Sequence, residues 1–425
     1  MYLQRIVPAT RSFREDDVTR FTFGSSLTAR VSGLPPLMTK RAAYLWNRFS
    51  CGASALSMTG GGEGFSLTIG STDCALGNGD TYALKADENG ICLRAKDEKS
   101  LMNGFTTLVQ LICPEDLSEG REKFCILSAE VHDSPAIPFR AVHICVFPES
   151  TIDGIAKAIS LAGFFGMTHV ILEFWGTIRY DCLPSLAWKD KSFTKDEIKP
   201  LIDLIRSYGM EPVPMINHFG HASQSRSCMG RHTVLNAEPR LSLLFEPDGW
   251  TWCLSNPDTY RLLADMRAEL CELFGDGKYF HLGFDEAYSF ATCPKCRKRV
   301  PSELLAEYLN RLTEDLAKAG RRPIIWHDEL IRGDEFTERD CPIVANGRSH
   351  DTAPALDLID KRIIIADWQY LIRSENWKSS EKFARNGFDV ICCPFSDRAN
   401  IAAAINTVKA GSLYGFMKTT WHTLN

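Results

Sequence analysis

From residue 139 onward, short apolar segments alternate with stretches of helical periodicity, and eight such segments follow one another. The strand-like runs fall at 140–146, 169–174, 212–217, 279–284, 323–326, 362–366, 389–394 and 414–419. Between them lie helices with readable ends. Thr194 and Glu197 form a capping box ahead of Ile198, Leu201, Ile202 and Ile205, with Gly209 beyond the last turn. Asn256-Pro257 opens a helix bearing Leu262, Met266, Leu270 and Leu273, and Ser302 leads into Leu305, Leu309, Leu312 and Leu316. Ile152, Ile155 and Ile159 begin another that ends near Gly166. Strands covered on both faces read as continuous apolar runs, so eight of them joined by helices predict a (β/α)8 TIM barrel over residues 136–425. The competing architecture, a doubly wound open sheet, calls for a Gly-rich turn after its first strand, and none follows residue 146.

Residues 1–135 have a different grain. Residues 65–69 alternate like a strand, 81–85 and 91–95 flank a turn at Glu88-Asn89-Gly90, a helix spans about 100–112, and a strand follows near 124–131. This mixture predicts a small α+β accessory domain. Its GGGEG run at Gly60–Gly64 lacks the strand-to-helix context and the Lys-Ser/Thr of a phosphate loop, and reads as a loop. The 48 basic and 53 acidic residues leave a net charge of -5 with no block of one sign, which argues against a nucleic-acid partner. No apolar run reaches the ~20 residues of a membrane span. The opening MYLQRIVPATRSFREDD carries no signal-peptide core, so the expected setting is soluble and cytoplasmic. In that setting the 15 cysteines read as thiols.

A barrel of this kind carries its chemistry at the C-terminal ends of its strands. There the chain places Glu173-Phe174-Trp175, Asn217-His218-Phe219-Gly220-His221, Asp285-Glu286, Trp326-His327-Asp328-Glu329, Asp367-Trp368-Gln369-Tyr370 and Trp421-His422, while Arg140 begins the first strand. Four of the nine tryptophans sit at these ends. Indole faces stack on the C–H faces of sugar rings and carboxylates hold hydroxyls, so the pattern points to a carbohydrate site. The adjacent Asp285 and Glu286 pose a puzzle, because neighbours on a strand point to opposite faces. They can share a site only where the strand has ended and the chain is turning. Two carboxylates there would repel, raising one pKa as a general acid requires.

The run His281-Leu282-Gly283-Phe284-Asp285-Glu286 resembles the H-x-G-G-D-E motif of family 20 glycoside hydrolases, the β-N-acetylhexosaminidases. Asp133-Ser134-Pro135 leading to Arg140, Phe219-Gly220-His221, Trp326-His327-Asp328 and Trp368-Gln369-Tyr370 are similar to further pieces of that family, as is 104–111 in the accessory domain. The resemblance implies retaining, substrate-assisted hydrolysis of terminal β-linked GlcNAc or GalNAc, with no cofactor and an oligosaccharide or small glycoside as substrate. It implies Glu286 as general acid and base and Asp285 as the group that orients the 2-acetamido nucleophile. It further implies that Arg140 and Glu173 bind hydroxyls, that His221 supports the acid pair, and that Trp326, Trp368 and Trp421 wall the acetamido pocket with Tyr370 donating into it. The chain departs from the family in three places. Phe284 replaces a Gly and narrows the space beside the acids, Cys145 stands where an Asp is usual, and Glu173 with Trp175 replaces an acidic pair.

Other readings remain open on the residues alone. His218-x-x-His221, with His143, His169, His281 and His327, would serve a metal-dependent hydrolase. A sugar-binding protein without turnover would keep the tryptophans. A structural zinc could be held by Cys293-x-x-Cys296 with Cys228 and His232 from the preceding long loop. Subunits of such barrels often associate, which leaves a homo-oligomer open, and the sequence shows no interface pattern.

Overall fold

The computed structural model describes residues 6–116, 123–187, 190–222, 238–247, 249–337 and 343–421. The chain divides into two compact units, one of Met1–Ala136 with Ala158–Thr168 and Asp203–Met210, the other of Ile137–Lys157, His169–Ile202 and Glu211–Asn425.

The first unit contains β1 (Ser12–Phe23), β2 (Ser26–Ser32), α1 (Pro36–Phe49), β3 (Ala55–Gly60), β4 (Phe65–Gly70), β5 (Tyr82–Asp87), β6 (Gly90–Ala95), α2 (Glu98–Gln110), β7 (Ile112–Asp116) and β8 (Lys123–Asp133). The sheet runs β1-β8-β5-β6-β4-β2-β3, with β7 also on β8. The expected hairpin is the antiparallel pair β5–β6, in which Asp87 faces Gly90. Strand β1 carries no periodic mark in the sequence. It is an edge strand, SFREDDVTRFTF, with a register shift between Asp16 and Arg20, so no apolar face repeats along it.

The second unit is a closed parallel barrel of β9 (Phe139–Cys145), β10 (His169–Glu173), β11 (Glu211–Met215), β12 (Tyr279–His281), β13 (Arg322–Trp326), β14 (Ile364–Trp368), β15 (Asp389–Cys393) and β16 (Gly415–Thr419), the last pairing with the first. The helices between strands are α3 (Ile152–Phe164), α4 (Lys195–Ser207), α5 (Pro257–Phe274), α6 (Pro301–Lys318), α7 (Lys378–Arg385) and α8 (Arg398–Gly411). The capping box before α4 is formed, Glu197 Oε2 accepting from Thr194 N at 2.8 Å and Thr194 Oγ1 from Glu197 N at 3.2 Å. Asn256 caps α5 by accepting from Asp258 N. Ser302, in contrast, lies inside α6, which starts at Pro301.

Alternation along the strands decides what fills the barrel. Phe139, Ala141, Ile171, Val213, Met215, Tyr279, Ile324, Trp326, Ile364, Ala366, Ile391, Cys393 and Met417 form one buried cluster. At the N-terminal end the barrel is plugged by Phe139 stacked on His169 at 4.1 Å and edge-on to Tyr279 at 5.5 Å. At the other end the same inward register continues into polar side chains, and this end holds the candidate site. No helix among the described residues is long and apolar enough to cross a membrane.

Candidate active site

After β12 the chain reverses sharply. Gly283, Phe284 and Glu286 have φ of +73°, +82° and +51°, a region that ordinary residues enter rarely. The reversal resolves the adjacency puzzle, because both carboxylates now meet one imidazole. His221 Nε2 lies 3.4 Å from Asp285 Oδ2 and 3.0 Å from Glu286 Oε2. Two glycines admit this crowding. A Cβ on Gly220 would lie 2.0 Å from the Asp285 carbonyl oxygen, and one on Gly283 would lie 1.7 Å from Asn217 Oδ1. Packing offsets the left-handed backbone of Phe284: its ring sits 5.4 Å from Phe219 and 6.2 Å from Tyr308 of α6. It therefore faces outward from the barrel, and the expectation that it narrows the site is corrected.

The two acids occupy different surroundings. The Asp285 side chain is 6% exposed and that of Glu286 is 29% exposed. Burial pushes the Asp285 carboxyl up to about 6, with His221 pulling it back and the charges of Asp328 and Glu286 adding to the rise. Burial opposes charge on His221 as well, yet Asp285 and Glu286 together outweigh it and raise the imidazole to about 10. His221 is thus a cation at neutral pH, held between Trp175, stacked at 6.0 Å, and Trp250 at 4.7 Å.

Asp328 organises the rim. Its Oδ2 accepts from Glu286 N at 2.9 Å and from Asn346 Nδ2 at 2.7 Å, and its Oδ1 accepts from Trp368 Nε1 at 3.1 Å. Beside it Glu329 Oε1 accepts from Ala287 N at 2.8 Å. Trp250 Nε1 donates to the Glu286 carbonyl at 2.5 Å. In the sequence Asp328 is a strand-end residue with no role attached to it. Its signal is its register, two residues beyond inward Trp326. Trp250 lies in a long irregular loop, where no periodicity marks it.

The aromatic wall is also assembled. Trp326 and Trp421 lie 5.8 Å apart, Trp368 and Tyr370 5.1 Å, and Tyr370 and Phe395 5.3 Å. Trp326 is 1% exposed, so it backs the wall behind Trp421. Trp421 Nε1 donates to Tyr370 Oη at 2.6 Å. The tyrosine oxygen is the acceptor in that bond, which leaves its own proton to be donated elsewhere. His422 lies outside the described residues.

Two expected sugar-binding residues are placed otherwise. Arg140 is at the N-terminal end of β9, and its guanidinium donates to the carbonyls of Ile137 and Pro138 at 2.5 and 3.3 Å. It stands at the opposite end of the barrel from Asp285, because one strand's length separates its start from the site. Glu173 is at the correct end, but it is buried and both oxygens are engaged, Oε2 with His143 Nε2 at 2.9 Å and Oε1 with Asn217 Nδ2 at 3.0 Å. It positions the floor of the site. Burial also keeps the Cys145 thiol protonated, with the charge of Glu173 reinforcing it.

The histidines are dispersed among separate partners. His218 donates from Nδ1 to the Ile216 carbonyl at 2.8 Å and accepts at Nε2 from Arg267 at 3.0 Å. His281 Nδ1 accepts from Gly283 N at 3.1 Å, and His327 Nε2 lies 3.2 Å from Asp367. Among the described residues, the set of metal-type donors that converges is Glu246, Cys253, Cys293 and Cys296. It contains no histidine, so the donor set proposed for a metal-dependent hydrolase does not assemble. Cys293 and Cys296 do converge with donors of the preceding loop, while Cys228 and His232 lie outside the described residues.

Comparison with known proteins bears on the fold and the family. The chain is 22% identical to a β-hexosaminidase of Emericella nidulans over 353 residues, covering 75% of this chain and 53% of that one. It is 24% identical to β-hexosaminidase subunit A1 of Dictyostelium discoideum over 232 residues, covering 52% and 42%. The chain thus spans about half the length of these curated relatives. In fold it is similar to an exo β-N-acetylglucosaminidase of Vibrio harveyi in complex with N-acetylglucosamine, with a TM-score of 0.73 at 17% identity over 99% of this chain and 70% of that one. It is likewise similar to the Streptomyces plicatus N-acetyl-β-hexosaminidase bound to Thio-NAglucal, with a TM-score of 0.69 at 18% identity over 98% and 85%. The model of the catalytic domain of glycosyl hydrolase family 20 matches residues 176–399, just over half of the chain. The chain belongs to glycosyl hydrolase family 20.

Proposed function

We propose that the protein is an exo-acting β-N-acetylhexosaminidase that releases terminal β-linked GlcNAc or GalNAc by retaining, substrate-assisted hydrolysis. The observation that carries the reading is the unequal acid pair on one imidazole, a buried Asp285 and a more exposed Glu286. Adjacent carboxylates cannot flank a glycosidic bond as nucleophile and acid, but they suit a division in which the substrate supplies its own nucleophile. The acetamido carbonyl oxygen attacks the anomeric carbon while Glu286 protonates the leaving oxygen. Asp285 accepts from the acetamido N–H and stabilises the positive charge of the oxazolinium. Glu286 then takes a proton from the water that opens the ring, and the β-configuration is retained. Tyr370 donates to the acetamido oxygen, and Trp368 and Trp421 enclose the methyl group. The exo mode is supported by likeness to the Vibrio harveyi enzyme, described as exo-acting.

The test is nitrophenol release from the 4-nitrophenyl β-glycosides of GlcNAc, GalNAc and glucose. Acetamido sugars are expected to turn over and glucose not. Asp285→Asn and Glu286→Gln should each lose at least ~100-fold in kcat, the usual scale for a lost acid–base or charge-stabilising group. Added azide should restore turnover in Glu286→Gln only where the leaving group is good. Equal cleavage of the glucoside would overturn the mechanism.

A further inference from the structure

The loop that leaves Glu286 carries Cys293 and Cys296, and the loop after β11 carries Glu246 and Cys253. We propose that these four side chains form a structural zinc site that ties the two loops together. The inference is independent of the reaction assigned above.

The ligand atoms of the four lie within 4.8 Å of one another, and all four residues are buried. Cys253 Sγ is 3.5 Å from Cys293 Sγ and 3.5 Å from Cys296 Sγ. A disulfide needs ~2.05 Å. Thiolates at ~2.3 Å from a shared tetrahedral zinc sit ~3.8 Å apart, close to the spacing here. At most two of the three thiols could pair as a disulfide, and Cys296 Sγ also donates to Ser255 Oγ at 3.2 Å. The Cys293-Pro294-Lys295-Cys296 turn bends so that Cys296 N donates to Cys293 Sγ at 3.2 Å, a bond that favours thiolate.

Glu246 supplies the second, independent observation. Its Oε2 accepts from Cys293 N at 2.6 Å and Thr292 N at 3.0 Å. Its Oε1 is buried with no hydrogen-bond partner. A carboxylate buried in this way is costly unless a cation meets it, and no ion pair reaches it from the described residues. A divalent cation among the three sulfurs would complete both Oε1 and the thiolates. Three thiolates and a carboxylate select zinc by softness and by tetrahedral geometry. The turn also carries the exposed Lys295, Arg297 and Lys298, while Arg299 pairs with Glu307 at 2.6 Å.

The site lies where it can hold the acid pair in register. From the same loop as Cys253, Trp250 Nε1 donates to the Glu286 carbonyl and Trp252 Nε1 donates to the Asn217 carbonyl at 3.1 Å. The metal would thus be a positioning device, with no contact to substrate.

Elemental analysis of the freshly purified protein is expected to give close to one zinc per molecule, retained through dialysis and released by a mercurial. Cobalt-exchanged protein should show a thiolate-to-cobalt charge-transfer band and intense tetrahedral d–d bands. Glu246→Gln and Cys253→Ser should lose zinc, whereas Cys51→Ser, an exposed thiol elsewhere, should keep it. If Cys253→Ser does not fold, the cobalt spectrum of the unaltered protein still reports thiolate ligation. Folded protein that neither contains zinc nor takes up zinc or cobalt would overturn the proposal. So would full zinc retention in both Cys253→Ser and Glu246→Gln.

Discussion

Replacing His221 by Asn removes the cation that faces the acid pair while retaining a residue type that tolerates its left-handed backbone, φ +55°. At the 3.4 Å between His221 Nε2 and Asp285 Oδ2, a unit charge pair at an effective dielectric of ~20 interacts by roughly 5 kcal/mol. The imidazolium charge is spread over the ring and shared with Glu286, so about half of that acts on Asp285, or roughly 2 pKa units. Asp285 should therefore move from about 6 to roughly 8. If catalysis requires its carboxylate, the acid limb of kcat/KM moves with it. At pH 6 the ionised fraction falls from one half to about one hundredth, an extra loss of roughly 50-fold, which vanishes near pH 9. The assay is kcat/KM against pH for the acetamido nitrophenyl glycoside, with Asp285→Asn as the control in which the limb disappears. A variant-to-parent ratio constant from pH 5.5 to 9 would refute the reasoning, because a purely structural defect does not track protonation.

Asp328→Asn puts an amide where Glu286 N and Asn346 Nδ2 donate. It should lower kcat by roughly 10- to 100-fold, as expected for 1–3 kcal/mol of lost charged hydrogen bonding, with circular dichroism unchanged. Phe284→Gly relieves a positive φ worth about 1 kcal/mol but removes a buried ring worth roughly 3–5 kcal/mol, for a net destabilisation of about 2–4 kcal/mol by denaturant titration. A stabilised Phe284→Gly would mean the ring is not packed as described. Arg140→Ala should leave kcat/KM within about twofold, since that end of a barrel serves stability. A large KM increase would place the guanidinium back in the sugar site.

The barrel is legible in the sequence because buried parallel strands and amphipathic helices leave distinct periodic marks, and the closed order β9 to β16 follows the apolar runs closely. The α+β unit is only half legible. The β5–β6 hairpin announces itself through its turn residues, while edge strand β1, rich in charge, carries no apolar alternation. In the site, Asp285, Glu286, His221 and the tryptophans are visible as strand-end residues, and the family resemblance supplies their roles. Arg140 misleads because a residue's place within a strand decides which end of the barrel it serves, and a motif read as a string does not carry that direction.

By itself, the order of residues determined the architecture and the acid pair, since both rest on local periodicity and on neighbours in the chain. Only the folded structure decided what those neighbours do. The backbone reversal through Gly283, Phe284 and Glu286 turns two adjacent acids onto one imidazole, and burial then raises the Asp285 carboxyl. Folding also brings Asp328 beneath Glu286 across 42 residues, and Cys253 beside Cys293 and Cys296 across 40 and 43. Such encounters are set by long-range packing and local dielectric, which exist only once the loops have closed on one another.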